Sequence, residues 1–217
     1  MNCQPPLITT NRNNIEKWQL LLTQVEIFLH DTCGLCTLNQ AQLKSFESQA
    51  GLILPIEYKN FCQVFGSGEF GFNLFDIDIP DCEDVEGRLA SEKMILFDYY
   101  TDNCSLSDEV IELLYNAYLF GARHNFISFL FDLRTYSEQD QSCDIHAIEC
   151  SSGFTTCFGR DFFKFIRDYC VGEKAEEVSG FLMEMPAHFN KNDLDPLYEP
   201  RSRSKSFIPY NKYEDEY

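Results

Sequence analysis

LILPIEYKNFCQVFGSGEFG, residues 52–71, sets a helix, a glycine turn and a strand in succession, and the remaining chain is read outward from it. Pro55 presets φ for a first helical turn, where its missing N–H costs nothing, and Gly66 supplies the positive φ that ends a helix behind Phe65. Between them Ile56, Phe61, Val64 and Phe65 fall on one side and Lys59, Asn60 and Gln63 on the other, so an aromatic face is expected to lie on a sheet. After Gly66-Ser67-Gly68, the residues Phe70, Phe72 and Leu74 alternate with Gly71 and Asn73 and predict a half-buried strand.

Upstream, Ile15, Trp18, Leu22, Val25 and Leu29 recur at three and four and predict a helix over 14–30, capped by Asn13 or Asn14. A second helix is expected over 38–50, opened by a Thr37/Gln40 capping box and stopped by Gly51. Downstream, DIDIPDCEDVE (76–86) reads as an acidic loop interrupted by Pro80, and Met94–Tyr99 as a short strand. Ser107 caps a predicted helix running to about Leu119, ended by Gly121. FISFLFDL (126–133) lacks polar alternation, so it predicts a central strand buried on both faces. Residues 144–150 and 154–158 form a hairpin about Ser151-Ser152-Gly153, and 160–171 a last helix with Phe162, Phe165, Ile166 and Tyr169 inward. The order of elements predicts an α+β fold with a largely antiparallel central sheet, flanked by N-terminal helices and a C-terminal helix. The division expected is a polar lead-in (1–13), a domain (14–172) and a C-terminal extension or tail (173–217). Residues 173–185 have the composition of a further short helix, and the tail beyond them is expected to be disordered, the alternative being that Phe207, Ile208, Tyr210, Tyr213 and Tyr217 dock on the body or on another protein.

The chain has 217 residues, enough for one domain with a substantial core, and its Phe and Tyr content (20 and 11) predicts a core filled with rings. Its formal net charge is −18. Fifteen acidic residues face four basic ones between Asp81 and Glu149, whereas the first forty and last thirty residues are close to neutral. That balance disfavours direct contact with a nucleic-acid backbone or an anionic membrane and favours a basic protein partner, with solubility alone as the plain alternative. The N-terminus lacks an apolar run and cleavage site, no span of about 20 apolar residues occurs, and the ten cysteines show no framework of paired spacings. A cytoplasmic protein with reduced thiols is expected.

The run from LKSFESQAGLILP through IEYKNF to GSGEFG resembles the SUKH superfamily, the Smi/Knr-type domain found in yeast cell-wall regulators and bacterial toxin-immunity proteins. There a helix ending in glycine precedes a Leu-Pro, an acid, a Tyr and an aromatic before a glycine turn, matched here by Leu54, Pro55, Glu57, Tyr58, Phe61, Gly66 and Gly68. FISFLFDLR is similar to the family's central strand ending in an acid, here Asp132, and GRDFFKFIRDY to its closing helix. The likeness spans residues 40–172 and departs at Arg123-His124-Asn125-Phe126, where the family carries a Gly-Asp pair, and in the insert 79–118. It implies a single-domain, non-enzymatic binding module that in bacteria neutralises a toxin by binding it.

Chemical constellations are few. Cys33-Gly34-Leu35-Cys36, with His30 before it, has no second CxxC to complete a zinc site, and it follows a helix rather than opening one as a redox pair does. Asp144, His146 and Cys150 share a strand face as a polar surface or a triad. The G-x-S-x-G elbow, P-loop and dinucleotide glycine fingerprint are absent, and the acidic loop lacks the glycine of a Ca²⁺-binding EF-hand. No cofactor or metal is expected. Two functional readings follow. In the first, Glu69, Asp76, Asp78, Asp81, Glu83 and Asp84 face a basic, nuclease-type toxin and occlude its active site, while Leu54, Pro55, Tyr58, Phe61, Gly66, Gly68 and Asp132 hold the fold. In the second, the chain is an intracellular regulatory scaffold whose C-terminal tail carries the partner motif.

Overall fold

The computed structural model describes residues 10–29, 34–71, 75–87, 89–90, 106–123, 127–149, 152–172, 174 and 206–210. In chain order these form α1 (Thr10–Leu22), β1 (Glu26–Ile27), α2 (Gln40–Ala50), α3 (Ile56–Val64), β2 (Gly68–Phe70), β3 (Phe75–Ile77), α4 (Asp108–Tyr115), β4 (Ala117–Arg123), β5 (Ile127–Ser137), β6 (Ser142–Glu149), β7 (Thr155–Cys157), α5 (Phe162–Phe165) with a π-helical continuation (Ile166–Cys170), and β8 (Ser206–Pro209). One eight-stranded sheet runs β1-β8-β2-β3-β4-β5-β6-β7, antiparallel except where β1 meets β8. The fold is α+β, as the sequence predicts.

Helix α3 is built as its punctuation requires. Pro55 is the N-cap with φ −57°, and Gly66 follows the C-cap Phe65 with φ 78°. Gly66 is doubly constrained, since a Cβ there would also overlap the Cys36 carbonyl. The buried face consists of Tyr58, Phe61, Cys62, Val64 and Phe65. Asn60, expected on the polar side, is buried at 3% exposure, and its Nδ2 has no hydrogen-bond partner among the described residues. The adjoining strand is shorter than expected. Gly71 adopts φ 69° and turns the chain, so β2 and β3 pair as antiparallel strands instead of continuing as one; residues 72–74 lie outside the described residues.

Other boundaries move for similarly local reasons. Helix α1 begins at Thr10, inside the stretch expected as a polar lead-in, so Asn13 and Asn14 are helical residues and not its cap. It stops at Leu22, where Thr23 Oγ1 donates to the Leu20 carbonyl at 2.7 Å, and the chain then enters β1; Val25 is buried from a bend and Leu29 is exposed. The capping box of α2 is Asn39 with Gln42, not Thr37 with Gln40: Asn39 Oδ1 accepts from the Ala41 and Gln42 N–H groups while Gln42 Oε1 accepts from Asn39 N–H. Gly51 ends α2 with φ 65°. Helix α4 ends at Tyr115, because Asn116 Nδ2 donates to the Glu112 carbonyl and the chain crosses into β4. Ala117 and Tyr118 are therefore strand residues, and Gly121 lies within β4, where a Cβ would overlap the Asp76 carbonyl. The strand expected at 94–99 and the helix expected at 173–185 fall largely or wholly outside the described residues.

Strand β5 is central and buried on both sides, as its unbroken apolar run predicts. On one face Phe129 and Phe131 join the main core with Phe70, Phe75, Ile77, Phe120 and Phe207, under α1, α2, α3 and α5. On the other, Leu130 packs with Ile148, Ala117 and Leu114 of α4 in a smaller cluster. The main core is a lattice of rings: Tyr58 lies 5.3 Å from Phe131, 5.4 Å from Phe162 and 6.1 Å from Phe120, mostly edge to face. Ser206–Pro209, in the segment expected as a tail, is a strand of this sheet.

Burial holds several acids protonated. Tyr58, Cys62 and Cys170 are enclosed, which raises each pKa well above its ordinary value, and burial pushes the Cys143 thiol up to about 12. The unfolded chain releases these protons near pH 8.5 for Cys and near 10 for Tyr, so above those values it binds fewer protons than the native state. The stabilisation is complete below about pH 8.5 and is lost as pH climbs toward the folded pKa values. We expect the thermal midpoint to fall steadily between pH 8.5 and 11. Tyr58→Phe should flatten only the part above pH 10; a midpoint flat across this range contradicts the burial.

Candidate protein-binding surface

Strands β2 and β3 place two of the six candidate carboxylates side by side. Glu69 and Asp76 are register partners, and the same row continues to Ile208 on one flank and to Ala122 and Ser128 on the other. Phe75 and Ile77 point into the main core, so by strand alternation this row lies on the opposite face. Like charges directly opposite one another in a ladder cost stability. Tyr210 offsets part of that cost, since its hydroxyl donates to Asp76 Oδ1 at 2.6 Å. Burial, followed by this bond, holds the Tyr210 phenol far above its ordinary pKa.

Strand β3 runs directly into the acidic loop, whose path is pinned from beneath. The Asp78 N–H donates to the Phe120 carbonyl at 2.9 Å, and the Asp78 carbonyl accepts from the Tyr58 hydroxyl at 2.7 Å. Asp81 Oδ1 accepts from the Glu83 and Asp84 N–H groups, and Asp84 Oδ1 accepts from the Gly87 N–H, which caps a helical turn at 85–87 anchored by buried Val85. Asp76 is therefore a strand residue rather than part of the loop expected over 76–86, and Asp81 and Asp84 shape the loop with one oxygen each. Glu83 and Asp84 are exposed, while Glu69, Asp76, Asp78 and Asp81 are half-buried.

The remaining singled-out residues have interior positions. Leu54 is buried, and its N–H donates to Glu47 Oε1 at 2.9 Å. Glu57 ties α1 to α3, accepting from Lys17 Nζ at 2.8 Å and Trp18 Nε1 at 2.9 Å. Phe61 has no exposed surface. Gly68 leaves space for Phe207, whose Cζ would lie 2.5 Å from a Cβ there. Asp132, 3% exposed, accepts from Arg134 Nε at 2.8 Å and Nη2 at 2.6 Å, which raises the Arg134 pKa further. Sequence reasoning placed Tyr210 among the residues for docking but not its bond to Asp76, and it missed Arg160. The Arg160 guanidinium donates to the Thr135 and Ser142 carbonyls at 2.6 and 2.8 Å and so fastens the β5–β6 hairpin to the start of α5.

The alternatives fare differently. Asp144 is bound to Arg160 at 3.3 Å, and His146 stands opposite Cys157 on β7; Cys150, Cys33 and His30 lie outside the described residues. Among the described residues no group of three or more His, Cys, Asp or Glu is placed to hold a metal, six cysteines carry no disulfide, and no helix is long and apolar enough to cross a membrane. A cleft of about 320 Å³ lies between the C-terminal ends of α2 and α4, and its described lining contains no His, Cys or carboxylate. No protein-family model matches the chain, and no curated protein matches it.

Proposed function

We propose that the chain is a non-enzymatic protein-binding module whose partner is a basic protein, and that it acts as an immunity protein blocking a nuclease-type toxin. The observation that carries this reading is the Glu69/Asp76 pair on β2 and β3, followed directly in the chain by Asp78, Asp81, Glu83 and Asp84 on a loop whose backbone is fastened to the core. A nuclease arranges Lys and Arg to receive phosphates, and carboxylates on a fixed frame meet the same groups. Rigidity matters because little ordering entropy is then lost on association. The SUKH resemblance and the net charge of −18 point the same way. In this reading the protein works in the cytoplasm and needs no cofactor or metal.

The test is a variant carrying Asp78→Asn, Asp81→Asn, Glu83→Gln and Asp84→Asn. Asn keeps the acceptor oxygen that shapes the loop at 81 and 84, so the thermal midpoint should stay within a few degrees of wild type. Both proteins are immobilised and exposed to native lysate at low and moderate salt, and the eluates are assayed for nuclease activity. Wild type is expected to capture a basic protein with nuclease activity that salt releases. The variant should associate with it about tenfold more slowly or worse, because steering by charge acts on the on-rate. Equal capture by both proteins, or a captured partner of net negative charge, overturns the reading. The scaffold alternative cannot be separated by truncation at Met185, because that cut also removes β8 from the sheet.

A further inference from the structure

The slot that holds β8 is assembled from distant parts of the chain. β1 pairs with β8 in parallel (Ile27 with Phe207), and β2 pairs with it antiparallel (Glu69 with Ile208, Phe70 with Phe207). Phe28 N–H donates to the Phe207 carbonyl at 3.0 Å, Gly71 N–H to the Ser206 carbonyl at 3.1 Å, and Tyr210 N–H to the Ser67 carbonyl at 3.1 Å. The Phe207 ring sits 4.7 Å from Phe70 and 5.3 Å from Phe65, in the space left by Gly68. These contacts come from residues 26–28 and 65–71, and that slot does not distinguish which copy of the chain supplies the strand. Residues 175–205 join β8 to the body. At about 3.3–3.6 Å per residue such a connection reaches on the order of 100 Å at full extension, whereas a folded chain of this length has a radius of gyration of about 17 Å. A slot without its strand exposes unpaired β1 and β2 edges and the Phe65 and Phe70 rings, which favours refilling by whichever β8 is near.

We propose that the slot between β1 and β2 accepts β8 from a second copy of the chain, so that two copies exchange C-terminal strands and form a dimer. Each exchanged strand keeps the contacts it makes within one chain, so no new interface chemistry is needed and concentration sets the balance between the two forms.

The test uses full-length chains. Glu69→Cys is placed in one and Ile208→Cys in another, both carrying Cys157→Ser to remove an exposed native thiol. Register partners in an antiparallel ladder lie within the Cα separation a disulfide spans. The two variants are refolded together from denaturant at several concentrations and oxidised with oxidised glutathione. A covalent heterodimer severalfold above the level given by either variant with the Cys157→Ser parent is expected, rising with concentration and lost when the Ile208→Cys chain also carries Phe207→Ala. A chain carrying both new cysteines reports the geometry by closing within itself at low concentration. Failure of the heterodimer to form while that chain closes overturns the proposal, as does wild type that remains monomeric by light scattering after refolding at the highest concentration.

Discussion

Phe162→Ala is expected to destabilise the protein by about 3–5 kcal/mol, the cost of removing a large buried ring and leaving a cavity that the surroundings refill only in part. Phe162 is fully buried at the point where the helices meet the sheet. Its ring lies 5.3 Å from Phe120, 5.4 Å from Tyr58 and Phe131, 5.7 Å from Phe61 and 6.0 Å from Trp18. Those neighbours belong to β4, α3, β5 and α1, so a single deletion loosens four elements at once. Domains are stable by only about 5–15 kcal/mol, so the variant should show a clearly lower urea midpoint and a thermal midpoint down by roughly 6–20 °C. Phe154→Ala is the control: Phe154 is 59% exposed and its loss should stay within about 0.5 kcal/mol. If the two substitutions cost the same, the ring lattice is not where the stability resides.

How much of this was visible in the chain depends on where each deciding interaction sits. Helix α3 and its limits were legible because Pro55 and Gly66 act on their own φ angles, and β5 because burial on both faces leaves no polar alternation. Spacing alone misled at α1 and α4. Val25 continues the apolar stripe of α1, and Ala117 and Tyr118 that of α4, yet a turn at Thr23–Gln24 and a side-chain bond at Asn116 end each helix. A buried residue in a following bend or strand satisfies a three-or-four spacing as well as a helical one does. The capping box expected at Thr37/Gln40 forms at Asn39/Gln42, which has the same spacing and the stronger cap. The acidic surface showed in the charge, but its geometry did not. The Tyr210–Asp76 bond joins residues 134 apart, and no local pattern announces such a partner.

Removing residues 206–217 is expected to be the most damaging change short of a core charge. The sheet order places β8 between β1 and β2, so the cut takes away the strand that joins β1 to the sheet and leaves the β2 edge unpaired. Phe207 has no exposed surface, and by the large-to-small argument its loss alone costs about 3–5 kcal/mol. The lost ladder bonds and the freed Asp76 carboxylate, opposite Glu69, add to it. The truncated chain should therefore unfold at a markedly lower urea midpoint than full-length protein and bind a hydrophobic dye such as ANS. Phe207→Ala should account for the larger share of that loss. Tyr210→Phe should cost only about 1.5–3 kcal/mol, the worth of a hydrogen bond to a charged group. A truncated chain as stable as the full one would mean that β8 rests on the sheet without supporting it. The order expected is truncation, then Phe207→Ala, then Tyr210→Phe, because the ring carries the buried area and the hydroxyl only orients the carboxylate beside it.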